Sequence, residues 1–427
     1  MSKSANELIN FINGSPSCFH VIYNLKNMLS ENGYIELLEN AKWELTPGNK
    51  YFVTRNGSSL LAFSIPLGET KGFMLAAAHS DSPTFKVKDT AENVSANLTR
   101  LSTEKYGGML MSSWLDRPLS VAGRVVVNTE KGVATKLVNV DRDLLIIPNV
   151  AIHMNRSANE NASFAANIDT LPLFGGEDAK GKFISIIADA AGAGSDDILD
   201  KDIYLYLRES GRILGAENEF VASPKLDDLE CAFAITKGFL SAKESNAIKV
   251  LAIFDNEEVG SETKQGAGSS FLRDTLRRVT TVIGKNEEEF LSMLANSFLV
   301  SADNAHATHP NHPEYADVLN SPHINGGVVI KYNANQRYTT DAVSAAIFKK
   351  ICFEANVPVQ AYANRSDLPG GSTLGSISNT LLPVRTVDIG LAQLAMHSSY
   401  ETAGVKDLDY LVAAMTAFYS SDTIVVE

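Results

Sequence analysis

Side chains able to bind metals recur in six segments of the chain: Ala78-His79-Ser80-Asp81, Lys225-Leu226-Asp227-Asp228, Phe254-Asp255-Asn256-Glu257-Glu258, Ser301-Ala302-Asp303, Ala305-His306-Ala307-Thr308-His309 and Met396-His397-Ser398. Two imidazoles and several carboxylates, drawn from distant segments, are the donor set that a pair of adjacent divalent cations needs. A spare glutamate beside a ligating one can then serve as the base that activates water. Asp227 reads as a carboxylate shared between two cations, although an acid at a helix start is also favoured by the helix dipole alone. Asp81, two residues after His79, reads as the partner that fixes the imidazole tautomer. His306, His309 and His312 resemble a metal-binding tract, but Pro310 and Pro313 point to a loop there.

Such side chains need a rigid frame. In open α/β sheets, sites form outside the carboxyl ends of the strands. Three apolar runs end in ligand-type residues: residues 74–78 run into His79, residues 250–254 into Asp255-Asn256-Glu257-Glu258, and residues 299–302 into Asp303. If the three are neighbours in one sheet, their last side chains converge.

The N-terminal region reads as two helices, with Ser4 and Ser17 as caps and Gly33 closing the second. Residues 51–55 and 60–65 flank Asn56-Gly57, a hairpin signal. From about Lys88 to Val221 short β-branched runs dominate: residues 123–128, 134–140, 144–147 and 183–188.

After Ser223-Pro224 helix–strand alternation returns. Helices are expected over 225–242, 269–279, 286–297, 340–354 and 405–420. Strands are expected over 249–254, 298–302, 327–331, 359–363 and 384–389. The pattern implies an α/β fold, a mostly parallel mixed sheet sandwiched by helices. Residues 1–88 and 222–427 would form this discontinuous domain, and residues 89–221 a β-rich insertion.

Composition narrows the function. The 427 residues carry a net charge of −13, which argues against nucleic acid or an anionic membrane surface as partner. No run reaches the ~18 apolar residues of a membrane span. The start of the chain lacks a signal-peptide core. Cys18, Cys231 and Cys352 are odd in number and widely spaced, so a reducing, cytoplasmic setting is expected.

Four stretches that take in five of these segments resemble the aspartyl aminopeptidase family of di-zinc exopeptidases: His79-Ser80-Asp81-Ser82-Pro83, Asp255-Asn256-Glu257-Glu258-Val259-Gly260-Ser261, Ser301–Asn311 and Met396-His397-Ser398. Their order and spacing agree over nearly the whole chain. The resemblance implies a metalloaminopeptidase with two Zn2+ per subunit, Co2+ or Mn2+ being alternatives. It implies His79, Glu258, Asp303 and His397 as ligands, Asp227 as the bridge, Glu257 as the general base and Asp81 as support for His79.

The segment Ile146–His153 is similar to one whose histidine reaches a neighbouring subunit's site in relatives, which makes His153 a candidate helper in catalysis. Lys331 resembles a pocket residue that would pair with an acidic N-terminal side chain. Gly371, Ser372 and Thr373, after Gly370, resemble a loop that offers backbone N–H groups to substrate. The insertion would pair subunits, and dimers would build a tetrahedral dodecamer around peptide substrates. Asp228 departs from the family pattern, which has Asn there. Alternative readings are a preference for neutral N-terminal residues, a related metal-dependent carboxypeptidase or deacylase, and a non-enzymatic assembly protein, which the intact ligand set opposes.

Overall fold

Seven consecutive buried residues, Phe73–His79, form a strand at the middle of a nine-stranded sheet. Such a strand is apolar on both faces because helices cover both. Met74, Ala76 and Ala78 belong to one core, and Phe73, Leu75 and Ala77 to the other. The computed structural model describes residues 3–160 and 162–423. The first core takes its helical side from Lys3–Asn13, Cys18–Glu31, Leu226–Ser241, Ala342–Glu354 and Val405–Ser420, and the second from Phe271–Val282, Glu287–Ala295 and Leu374–Leu381.

The strand order is Ile35–Leu37, Lys50–Arg55, Ser59–Ser64, Ile248–Phe254, Phe73–His79, Phe298–Ala302, Arg385–Gly390, Val328–Tyr332 and Val359–Ala363. The four strands around the centre run parallel, with Phe254 opposite His79 and Ser301 opposite Ala77. The three ligand-bearing strand ends are therefore neighbours, as expected. Antiparallel pairs occur on either side of this parallel centre, including the hairpin at Asn56-Gly57, where both residues take positive φ. The α/β sandwich inferred from the alternation is the architecture observed.

A second sheet, six-stranded and antiparallel, has strands between Thr84 and Leu207 around its own core. Two expectations fail here. Residues 183–188, read as a β-branched run, belong to the helix Phe183–Ala191. Phe183 and Ile187, four apart, face the core together, and Gly192 at φ 59° ends the helix. Residues 144–147 make only isolated bridges, to Leu119 and Leu173. A third sheet joins Arg212–Leu214, Phe220–Ser223, Glu401–Gly404, Ala392–Leu394 and Ala305–His306.

Smaller corrections concern helix ends. Lys3–Asn13 already contains Ser4, so Ser4 is not its cap, and the Ser17 hydroxyl meets His20 Nδ1 at 2.8 Å instead of capping the backbone. Among the described residues, no helix is long and apolar enough to cross a membrane.

The helices Leu226–Ser241 and Val405–Ser420 approach most closely at Gly238. A Cβ there would lie 2.5 Å from Met415 Cβ and 2.9 Å from its carbonyl carbon. Gly238→Ala should therefore overpack this crossing and cost about 1–3 kcal/mol. The check is a lowered thermal unfolding midpoint; an unchanged midpoint would mean that the helices can separate freely.

Candidate metal centre

Local structure delivers each donor to one edge of the nine-stranded sheet. His79 ends its strand. Asp303 follows Phe298–Ala302. Glu257 and Glu258 open a one-turn 3-10 helix, Glu257–Val259, flanked by Asn256 and Gly260 in left-handed conformation. Asp227 lies at the distorted start of Leu226–Ser241, where it and Asp228 are non-helical and are joined by a cis peptide bond. His397, at φ 65°, sits in the turn after Ala392–Leu394.

Three overlapping sets of ligand atoms result, each within 4.8 Å: His79, Asp227, Asp228 and Asp303; His79, Glu257 and Glu258; and Asp227, Glu258 and His397. Asp227 lies between the imidazoles. Its Oδ1 is 3.7 Å from His79 Nε2, and its Oδ2 is 3.5 Å from His397 Nε2. Glu258 Oε2 is 3.4 Å from His397 Nε2.

The electrostatics are those of carboxylates short of positive charge. Burial, reinforced by the charge of Asp227, pushes Glu258 well up. Burial lifts Glu257 to about 8, with Asp303 and Asp81 adding to it. Burial also raises Asp303, against the pull of Lys331. His397 is pushed down by burial, but contact with Asp227 and Glu258 wins and takes it up to about 10. Burial acts against protonation of His79 too, and Asp228 and Asp81 overcome it.

Asp227 Oδ1 and Glu258 Oε1 are buried without a hydrogen-bond donor. Orphaned carboxylate oxygens beside two imidazoles form an oxygen- and nitrogen-rich set that zinc fits.

A second ring of groups holds the first. His79 Nδ1 donates to the Asp81 carbonyl at 3.1 Å and lies 3.4 Å from its carboxylate. That carboxylate also accepts the backbone N–H groups of Glu257 and Glu258, both at 3.2 Å, and the Tyr106 hydroxyl at 2.7 Å. Asn256 Nδ2 donates to the same hydroxyl. Asp81 thus supports the expected histidine and also sets the glutamate turn. Asp228 accepts the His79 backbone N–H at 3.1 Å. His397 Nδ1 donates to the Gly108 carbonyl at 2.8 Å.

The residue most clearly missed by sequence reasoning is Glu401. Its two oxygens accept the backbone N–H groups of Asp227 (3.0 Å) and His397 (2.7 Å). The available signal was an acid four residues after His397, at the first position of the otherwise small-residue strand Glu401–Gly404. Tyr106 was passed over because it ends an ordinary strand, Leu98–Tyr106.

The donors line a cavity of about 210 Å³ that also includes Lys331, Gly371, Ser372 and Thr373. Lys331 is buried; its ammonium donates to the Asn304 carbonyl at 2.9 Å and lies 3.6 Å from Asp303. The Thr373 hydroxyl donates to Asp388 at 2.7 Å. His306 lines the cavity, edge-on to Tyr362. His309 and His312 do not join the donor sets among the described residues; His312 stacks on Tyr315 in a loop. His153 lies exposed on a turn of the second-sheet region and does not line the cavity.

A profile of the aminopeptidase I zinc metalloprotease family (M18) matches residues 11–419. The chain is 47% identical over 425 residues to a probable M18 family aminopeptidase 2 of Clostridium acetobutylicum, covering 97% of this chain and 98% of that one. It is 37% identical over 448 residues to aspartyl aminopeptidase 1 of Schizosaccharomyces pombe, covering 98% and 94%. A chain of the Ape4 and Nbr1 complex, solved by cryo-EM, matches the fold with a TM-score of 0.95 at 37% identity, covering 98% of this chain and 85% of that one. The S. cerevisiae mApe1 dodecamer matches with a TM-score of 0.86 at 26% identity, covering 98% and 96%.

Glu401→Gln should test the second ring, because an amide offers one acceptor where two backbone donors converge. Zinc affinity should fall about 10–100-fold, measured by competition with a chromophoric chelator. Unchanged affinity would mean that the backbone of Asp227 and His397 holds itself.

Proposed function

The chain belongs to the aminopeptidase I zinc metalloprotease family (M18), and on that premise we propose that it removes N-terminal aspartate or glutamate from peptides at a two-zinc centre. That it is a metalloaminopeptidase follows from the family; the acidic preference rests chiefly on Lys331. Its ammonium is buried in the wall of the same cavity as the donor cluster. Burial acts to lower its pKa, but Asp303, Tyr338 and Asp388 hold it above the ordinary lysine value, so the cation persists. A substrate whose first side chain ends in a carboxylate would pair with this ammonium from the cavity side, beside Asp303. The similarity to the S. pombe aspartyl aminopeptidase supports the same reading.

His79, Glu258, Asp303 and His397 would hold the two ions, with Asp227 between them. This assignment is supported by the two Asp227 oxygens facing different imidazoles. Zinc bound there supplies Lewis-acid chemistry, polarising the peptide carbonyl and making water acidic enough to lose a proton near neutral pH. Glu257 takes that proton and returns it to the departing amine. Asp81 keeps His79 in the ligating tautomer. Gly371, Ser372 and Thr373 offer backbone donors along the cavity wall. Cobalt or manganese could replace zinc in so oxygen-rich a set.

Residues 89–221 are taken as the pairing insertion, with dimers building a tetrahedral dodecamer; similarity to the mApe1 dodecamer supports self-association. His153, exposed on that insertion, would complete a neighbouring subunit's site. Three free cysteines agree with a cytoplasmic location.

Glu257→Gln should retain zinc, measured by metal analysis, while kcat falls about 10²–10⁴-fold; near-normal turnover would remove Glu257 as the base. Lys331→Ala should raise KM for aspartyl and glutamyl substrates far more than for leucyl or alanyl ones, which feel only the altered field at Asp303. Equal effects on acidic and neutral substrates, measured on a panel of amino-acid anilides, would remove the acidic pocket.

A further inference from the structure

The loop that carries Gly371 and Ser372 has a second side. It borders a surface cleft of about 490 Å³ lined by Asn335, Gln336, Arg337, Gly370, Ser372 and Ile377 among others. Ser372 belongs to this cleft and to the catalytic cavity, and Tyr338 of that cavity follows Arg337 directly. The two spaces therefore share a wall.

The cleft is preformed. Asn333 fixes the turn that carries Arg337: its side-chain oxygen accepts the backbone N–H of Asn335 at 2.9 Å and of Arg337 at 3.5 Å. Gln336 takes a positive φ of 57° within that turn. Gly370 seats the other wall against it, since a Cβ there would lie 2.7 Å from Asn364 Oδ1 and 2.9 Å from Asn333 Nδ2.

Among the described residues, Arg337 is the sole charged group lining the cleft. Its guanidinium is exposed and makes neither a hydrogen bond nor an ion pair with any described residue. On a chain of net charge −13, a cleft with one cation and no acid is a selective place for a carboxylate. An exopeptidase that encloses the amine end of its substrate must let the remainder of the peptide leave through an open side, and this cleft adjoins the cavity across Ser372.

We propose that the cleft is a subsite for the leaving portion of the peptide, in which Arg337 binds a carboxylate. That carboxylate is either the free C-terminus of a di- or tripeptide or an acidic side chain shortly after the scissile bond. The planar guanidinium suits a carboxylate held by two parallel hydrogen bonds. The enzyme would thus favour short peptide fragments, the products of earlier endopeptidic cleavage, over long neutral chains. This rests on the aminopeptidase reading and concerns the opposite end of the substrate.

The test compares substrates that share their N-terminal residue. Asp-Ala-Ala is paired with its C-terminal amide, and Asp-Ala-Glu-amide with Asp-Ala-Gln-amide. The carboxylate member of at least one pair should have kcat/KM about tenfold higher, mostly through KM, and the pair that shows it identifies the source of the carboxylate. Arg337→Ala should bring that ratio close to one, and Arg337→Lys should keep part of it. Equal rates within both wild-type pairs, a ratio that survives Arg337→Ala, or an equal loss on both members would overturn the subsite. The wild-type rate on aspartyl anilide, which has no carboxylate beyond the scissile bond, reports separately on the aminopeptidase reading.

Discussion

Negative charge taken out of water at one sheet edge is the constraint around which this molecule is arranged. Isolated buried carboxylates are costly, by several kcal/mol each even after relaxation, and here Asp227, Glu258 and Asp303 stand together with Glu257 beside them. The chain does not relieve the crowding by donating hydrogen bonds to all of them. It spends its backbone donors one layer further out, on Asp81 and Glu401. The peptide units of the ligand-bearing turns are therefore fixed, while Asp227 Oδ1 and Glu258 Oε1 are left facing one another's neighbourhood without a donor. What is missing is cationic, and a divalent ion supplies it in the smallest volume.

Much of this was legible in the residue order because buried parallel strands leave a sharp trace. A run such as Met74-Leu75-Ala76-Ala77-Ala78 is apolar on both faces, and its abrupt change to His79-Ser80-Asp81 marks the place where cover ends. Register is another matter. That Phe254 lies beside His79 depends on which strands are neighbours, and no local pattern states it. Glu401 was hard to read for a related reason: it acts on the backbone of Asp227, 174 positions away in the chain. The helix Phe183–Ala191 was misread because β-branched content outweighed the four-residue spacing of Phe183 and Ile187, its two fully buried large side chains.

With the pocket role proposed for it, Lys331 would tie selection of the substrate to the integrity of the centre. Its ammonium lies 3.6 Å from Asp303 and donates to the next residue's carbonyl. It offsets part of the carboxylate crowding while presenting charge to the cavity. A residue with both duties is hard to exchange, since a neutral replacement alters the field at Asp303 as well as the pocket. The specificity proposed at Arg337, further out, would be free of that coupling.

Two ties cross from the antiparallel sheet into the centre. Tyr106, the last residue of one of its strands, holds Asp81, and the Gly108 carbonyl just beyond that strand holds the His397 ring. The antiparallel sheet is for this reason not an accessory that could be exchanged as a cassette. A recombination that traded the whole of it would have to bring its own tyrosine and its own carbonyl to the same two points, or the ligands would keep their identity and lose their aim. Change on the outer face of that sheet thereby disturbs the centre less than change in the short stretch around Tyr106, Gly107 and Gly108, which reaches it.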